Sequence, residues 1–242
     1  NGVMVRVLAA DVDGDTALEL VTLSSAGLLQ SYEVASNSMN LSLKTPMGIT
    51  VSGRALALGR LDGVAGPVAV ALVGSALVYH PLDVTGVAGA AVSIDATAAG
   101  FTSLALGDVN DDGLVDVLGY SSTSAVITVY PGTGSGAFGA ELTINVGTLL
   151  PGIGNPIAVA LGDVEGNGDG DLDLVVAGQS GLGILARRGT SFEGVAVGVE
   201  PNGDSPPLGE LVADHIAVRD LGRNGGAEIV YATPDRHSVG YI

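Results

Sequence analysis

The segment Asp108-Val-Asn110-Asp111-Asp112-Gly113-Leu114-Val-Asp116 places oxygen-bearing side chains at positions 1, 3, 5 and 9 of a tight loop. Asp108, Asn110, Asp112 and Asp116, with the position-7 carbonyl of Leu114, can converge on one point. They would supply the oxygens that a hard cation such as calcium collects, about six to eight at roughly 2.3–2.6 Å. Gly113 at position 6 permits the sharp backbone turn. A helix-flanked calcium loop would carry a bidentate Glu at position 12. Here position 12 is Gly119, and the run Ser124 to Tyr130 is rich in β-branched residues, so this loop leads into a strand.

Related loops recur along the chain. Aligned on position 1, they begin at Asp11, Arg60, Asp108, Asp163 and Asp220, at separations of 49, 48, 55 and 57 residues, the spacing of a stacked or radial repeat. In the first unit, Asp11, Asp13, Asp15, the Ala17 carbonyl and Glu19 fill positions 1, 3, 5, 7 and 9, with Thr16 where glycine is usual. In the fourth, Asp163, Glu165, Asn167 and Asp169 are followed by Asp171 and Asp173, two residues beyond the length of the third loop. Either Asp171 or Asp173 could close that shell. The fifth offers Asp220, Asn224 and Glu228 but has Gly222 at position 3, which predicts a weak fourth site or none, because calcium affinity follows the charge count of the ligands. The second has Arg60 at position 1 and Val64 at position 5, which is incompatible with a cation. Its Arg60 is placed to pair with Asp62 instead.

The elements around the loops repeat as well. Val7-Leu-Ala-Ala, Leu56-Ala-Leu-Gly, Leu104-Ala-Leu-Gly, Val159-Ala-Leu-Gly and Ile216-Ala-Val-Arg precede them. In a strand of period two, this alternation sends large side chains to one face and small ones to the other. Neighbouring sheets can then interlock large against small, with both faces buried. A second apolar strand, a Gly- or Ser-rich turn and a third strand follow each loop, and units one to four have room for a fourth. Four short strands per unit predict an all-β fold, a β-propeller of four-stranded antiparallel blades with about five present. The units run approximately 1–48, 49–98, 99–150, 151–208 and 209–242 within one propeller domain. A two-sheet sandwich explains the short strands but not the periodic acidic loop.

Ala105-Leu-Gly-Asp108 to Asp116, followed by Gly134-Ser-Gly-Ala-Phe138-Gly139, resembles the FG-GAP/VCBS repeat of integrin α-subunit propellers and of many secreted bacterial proteins. Ala160-Leu-Gly-Asp163 to Asp173-Leu-Val-Val with Gly189-Thr-Ser-Phe192 is similar. Units one and five match in loop and strands, and unit two only in its strands. The resemblance implies a calcium-stabilised, usually seven-bladed, extracellular propeller used for adhesion or ligand binding, and does not imply a particular ligand. With no visible signal peptide and the last unit ending inside its third strand, the sequence reads as a piece of a larger propeller or as a five-bladed ring with an incomplete last blade.

Composition narrows the partners. The formal charge is −17 and Lys44 is the single lysine, which argues against nucleic acid and anionic membranes. The most apolar run, Val64 to Tyr79, is too short to span a bilayer and is interrupted by Gly66, Pro67 and Gly74. Cysteine and tryptophan are absent, with 38 Gly, six Tyr and three Phe, so the core must be built from Val, Leu, Ile and Ala. The histidines His80, His215 and His237 lie in separate units with no triad or ligand spacing, so no catalytic residues are assigned. The expected activity is binding of an extracellular protein or glycan by a secreted or surface-displayed module. A lectin, or the propeller domain of a larger polysaccharide-degrading enzyme, is the alternative. A sugar platform would rest on Tyr32, Tyr79, Tyr120 or Tyr130, residues also suited to capping the core. The segments that differ most between units are Glu33 to Asn40, Ala88 to Gly100, Val146 to Pro156 and Glu200 to Glu210, and such connecting loops are where propellers place binding surfaces.

Overall fold

The structure is a computed structural model and describes residues 3–34, 40–44, 46–98, 100–164, 170–196, 215–219, 228–233 and 238–241. The first sheet takes its strands in chain order: β1 (Met4–Ala10), β2 (Glu19–Ser24), β3 (Leu29–Val34) and β4 (Leu41–Leu43). The second consists of β5 (Leu56–Gly59), β6 (Val68–Val73), β7 (Ala76–Pro81) and β8 (Val92–Asp95), and the third of β9 (Ser103–Gly107), β10 (Asp116–Tyr120), β11 (Val126–Tyr130) and β12 (Leu142–Asn145). After the single helical turn α1 (Val146–Leu149), the fourth sheet contains β13 (Pro156–Gly162), β14 (Asp173–Gly178), β15 (Gly181–Arg188) and β16 (Ser191–Ala196). Three strands, β17 (His215–Arg219), β18 (Glu228–Thr233) and β19 (Ser238–Tyr241), make the fifth among the described residues. Neighbouring strands pair antiparallel, from β1 with β2 to β18 with β19. Among the described residues no helix is long and apolar enough to cross a membrane.

Val7, Leu56, Leu104, Val159 and Ile216 all lie on the first strand of their sheets. In the second, third and fourth sheets both faces of the second strand are covered: every residue of β10 and β14 is buried, and all of β6 except Val73, whereas β2 alternates buried and half-buried residues. The first sheet departs from expectation, since Val7 is 49% exposed and β1 carries no buried residue, whereas Leu56 of β5 and Leu104 of β9 are buried.

The chain divides into two compact units. One comprises Asn1–Leu106, Leu114–Val117 and Tyr130–Ala140, and the other Gly107–Gly113, Leu118–Val129 and Glu141–Ile242. The first unit has two apolar clusters. Val21, Leu23, Leu29, Met47, Leu56 and Ala69 belong to one, and Val68, Val70, Leu77, Leu104, Val117 and Tyr130 to the other. Phe138 meets Tyr79 edge-on at 6.5 Å, and Phe101 meets Tyr130 at 6.3 Å. In the second unit, Ala158, Val175, Ala177, Leu182, Val218 and Ile229 pack together.

Large residues do meet small ones between sheets. A Cβ at Gly59 would come 3.0 Å from Leu106 Cδ1, one at Gly107 would come 2.6 Å from Leu161 Cδ2, and one at Gly162 would collide with Val218 Cγ1. Each glycine ends the first strand of its sheet, and each obstructing side chain lies on the first strand of the next. Gly162→Ala should therefore cost about 2–3 kcal/mol, because β-branched Val218 is stiff at χ1. Gly107→Ala should cost nearer 1 kcal/mol, since the Leu161 tip can move. Urea midpoints measure both, and equal midpoint shifts would contradict the packing.

Candidate metal-binding loops

The register of the first two strands fixes how each loop closes. Ala10 pairs with Glu19, Gly59 with Val68, Gly162 with Asp173 and Arg219 with Glu228. Asp173 thus takes the place that Glu19 holds in the first unit, and the two additional residues of the fourth loop fall before it. The environments agree. Glu19 and Asp116 are fully buried and Asp173 is 3% exposed. Glu19 Oε2 accepts the Val12 N–H at 2.9 Å, and Asp173 Oδ2 accepts the Val164 N–H at 3.0 Å. Asp173 Oδ1 also accepts from Arg187 N at 3.0 Å, as Asp116 Oδ1 does from Gly132 N at 2.9 Å. The closing carboxylate ties the loop to the sheet through backbone amides.

At position 1 the carboxylate organises the turn itself. Asp11 Oδ1 accepts from Gly14 N at 2.6 Å and Oδ2 from Thr16 N at 3.3 Å. Asp108 Oδ1 accepts from Asp112 N at 3.2 Å and Oδ2 from Gly113 N at 2.8 Å. Asp163 Oδ2 accepts from Gly170 N at 3.3 Å. Thr16, Gly113 and Gly170 all sit in the left-handed region, at φ 76°, 82° and 80°, so the same backbone bend is made with and without glycine. Asn110 Oδ1 accepts from Asp112 N, and Asp13 and Asp15 accept from Asp15 N and Ala17 N.

Asp11, Asp13 and Asp15 each present one oxygen within 4.8 Å of the others. Asp163 Oδ1 and Glu19 Oε1 are buried and have no hydrogen-bond partner. A buried carboxylate oxygen left unpaired is costly, and a hard cation is the partner this donor set suits. The residues present fit such an ion. Glu165, Asn167 and Asp169 lie outside the described residues, as do Asp220, Asn224 and the side chain of Glu228.

Two basic side chains reach these loops from afar, and local spacing gave no sign of either. Lys44 Nζ lies 2.5 Å from Asp13 Oδ2 and 2.9 Å from Glu33 Oε2. It holds the Asp13 carboxyl below the usual range, whereas burial pushes the Glu19 carboxyl up. The Lys44 ammonium is itself pushed well above its ordinary value, chiefly by its bond to Asp13. Arg187, 5% exposed, donates from Nη2 to the Asn110 carbonyl at 2.9 Å and sits 3.5 Å from Asp171 Oδ1. Asp171 therefore faces a guanidinium. In the second unit, Arg60 pairs with Asp11 Oδ2 at 3.2 Å rather than with Asp62. Asp62 serves the backbone instead, accepting from Val115 N through its carboxylate and from Gly136 N through its carbonyl. The Val115 amide thus occupies the carboxylate expected to meet Arg60.

No family model matches the sequence, and no curated protein sequence matches it. Solved structures do. An Agrocybe aegerita lectin, described by its specific recognition of non-reducing terminal N-acetylglucosamine, aligns at TM-score 0.64 and 19% identity over 93% of this chain and 60% of the lectin. BBS1N in complex with ARL6DN aligns at TM-score 0.54 and 13% identity over 98% of this chain and 78% of that one. The chain folds as a β-propeller. It spans 60% of the lectin's length, and identities this low speak to the fold alone.

Other candidate groups of the propeller are now placed. Tyr79, Tyr120 and Tyr130 are 6%, 4% and 5% exposed, so they cap the core. The Tyr120 hydroxyl accepts from Val159 N, and that of Tyr130 donates to Asp95. His80 Nδ1 lies 3.0 Å from the Gly89 carbonyl. The segment from Val146 opens with α1, whose first turn is capped by Asn145 Oδ1 accepting from Thr148 N. That segment borders two cavities in the second compact unit. One of about 510 Å³ is lined by Leu149, Phe192, Asn110, Asn145, Thr190 and Ser191 among others, and one of about 390 Å³ by Leu150, Ile153 and Leu182 among others. Phe192 is the half-buried aromatic on a cavity wall, a role the tyrosine count does not suggest.

Proposed function

We propose that this chain is a calcium-stabilised propeller of the FG-GAP/VCBS type, extracellular, which binds a macromolecular glycan or protein ligand and carries no catalysis of its own. The observation that carries this reading is the recurrence of one oxygen-rich loop whose closing carboxylate, Glu19, Asp116 or Asp173, is buried at the start of the second strand. Calcium would be held by Asp11, Asp13, Asp15, the Ala17 carbonyl and Glu19, by Asp108, Asn110, Asp112, the Leu114 carbonyl and Asp116, and by Asp163, Glu165, Asn167, Asp169 and Asp173. Its role there is structural: it neutralises clustered carboxylates and leaves the loops on which a ligand surface is built ordered.

A glycan is the better-supported ligand class. The cavity beside Phe192 combines apolar walls with Asn145, Thr190 and Ser191 at its polar margin, the combination a sugar ring with one apolar face needs. The propeller likeness to an N-acetylglucosamine-recognising lectin makes terminal N-acetylated sugars the first probes. Binding to a glycan array and to extracellular proteins, with calcium and with chelator, beside lyase and hydrolase assays, tests the reading. The expected result is calcium-dependent retention of a glycan, weakened by Phe192→Ala, without turnover. Turnover abolished by substituting His80, His215 or His237 would refute it.

A further inference from the structure

The single lysine of the chain lies among three carboxylates drawn from separate elements. Asp13 comes from the loop after β1, Glu19 from the first position of β2 and Glu33 from β3. One oxygen of each lies within 4.8 Å of the other two, and the Lys44 ammonium bonds Asp13 and Glu33 at 2.5 and 2.9 Å. Glu33 is no part of the oxygen-rich loop, which already has its own convergence at Asp11, Asp13 and Asp15. Glu19 is fully buried, with one oxygen on Val12 N and the other without a partner. The lysine and Asp13 side chains are 19% and 9% exposed and that of Glu33 is 38% exposed, so the cluster opens to water on the Glu33 side only. Three carboxylates around one ammonium leave an excess of two negative charges, and the carboxylates repel one another at this range. A monovalent ammonium therefore offsets only part of the charge that a divalent ion would neutralise.

We propose that Asp13, Glu19 and Glu33 form a second cation position in the first unit, filled by Lys44 as a tethered counter-ion and open to a divalent cation once that charge is removed. This position shares Asp13 and Glu19 with the calcium reading of the first loop and rests on it to that extent, but Glu33 and Lys44 belong to it alone. A metal entering the first loop must compete with the lysine for Asp13, so this loop binds calcium more weakly than the third despite its fuller complement of carboxylates. The lysine in turn keeps the loop ordered in the absence of metal.

The test is a calcium titration by calorimetry of the full chain as wild type, Lys44→Met and Lys44→Met/Glu33→Gln. Lys44→Met should gain a site, or tighten its weakest site at least tenfold, and adding Glu33→Gln should reverse the gain. In chelator, Lys44→Met should melt several degrees below wild type, and calcium should restore it. If Lys44→Met does not fold, acetylation of the sole lysine on folded wild type removes the same charge and should produce the same gain. No gain in calcium binding on removing the lysine charge overturns the proposal, as does a gain that survives Glu33→Gln. The calcium reading of the loops is judged separately: it fails if wild type binds no calcium that Asp108→Ala removes, whatever Lys44→Met does.

Discussion

Asp173→Ala is expected to destabilise the propeller by about 3–5 kcal/mol, while Asp171→Ala, two residues away, costs about 1 kcal/mol. Asp173 is 3% exposed and accepts two backbone amides, from Val164 and Arg187. Removing it leaves a buried N–H at Arg187 and a half-buried one at Val164 without this acceptor, at about 1–3 kcal/mol each. Asp171, with its side chain 22% exposed, lies 3.5 Å from the buried Arg187 guanidinium, which keeps Asp111 at 4.0 Å and the Asn110 and Gly189 carbonyls as partners when Asp171 is removed. Asp173→Asn keeps one carbonyl acceptor and should fall between. For a chain of this size, about 1 kcal/mol moves the melting temperature by roughly 2–4 °C, so calorimetry separates the three variants easily. Equal losses from Asp171→Ala and Asp173→Ala would show that the register does not single out Asp173.

That ambiguity shows where sequence reading stops. Alternating large and small residues before each loop specified the first strands, and the placement of Gly59, Gly107 and Gly162 against Leu106, Leu161 and Val218 is what the alternation implied. Side-chain type alone could not choose between two aspartates in one longer loop, because the choice depends on which residue pairs with Gly162 across the sheet. Lys44 and Arg187 were missed for a different reason. They meet Asp13 and Asn110 across 31 and 77 residues, and no local spacing encodes such contacts. The uniqueness of Lys44 in a chain of charge −17 was a usable sign, since a lone lysine in an acidic protein has many carboxylates to choose from. The helical turn α1 was illegible because Val146-Gly-Thr-Leu149 has poor helix propensity and is held by its Asn145 cap.

The basic residues also qualify how metal and fold are coupled. The first loop has Lys44 and Arg60 at hand, and the fourth has Arg187 beside Asp171. In the third, Asp108 and Asn110 side chains are satisfied by the amides of Asp112 and Gly113, and Arg187 reaches the Asn110 carbonyl and Asp111 rather than Asp108. Neutral amides offset carboxylate repulsion less than a full positive charge does, which makes the third loop the one whose order should depend most on a bound cation.

Chelation is accordingly expected to lower the melting temperature of the wild-type chain, and the third loop should account for much of the loss. An ion that binds only the folded form adds about 2.7 kcal/mol per site when its free concentration is about a hundredfold above the dissociation constant. Against a typical domain stability of roughly 5–15 kcal/mol, one such site matters and three would dominate. Asp108→Ala removes the ligand at position 1 together with the acceptor for two amides, so it should lower the melting temperature in calcium by several degrees. In excess chelator it should lower it only by the smaller amount due to the amides, because the wild type has then lost the same ion. Asp112→Ala keeps the amide that makes the turn-forming bonds to Asp108 and Asn110, so its loss should be larger in calcium than in chelator. Arg60→Ala should show no calcium-linked loss, since its own loop offers no cation site and its removal frees Asp11 Oδ2 in the first loop of a competing charge. Identical melting curves in calcium and chelator, with Asp112→Ala indistinguishable from wild type in both, would remove the metal from this fold and with it the structural half of the proposed function.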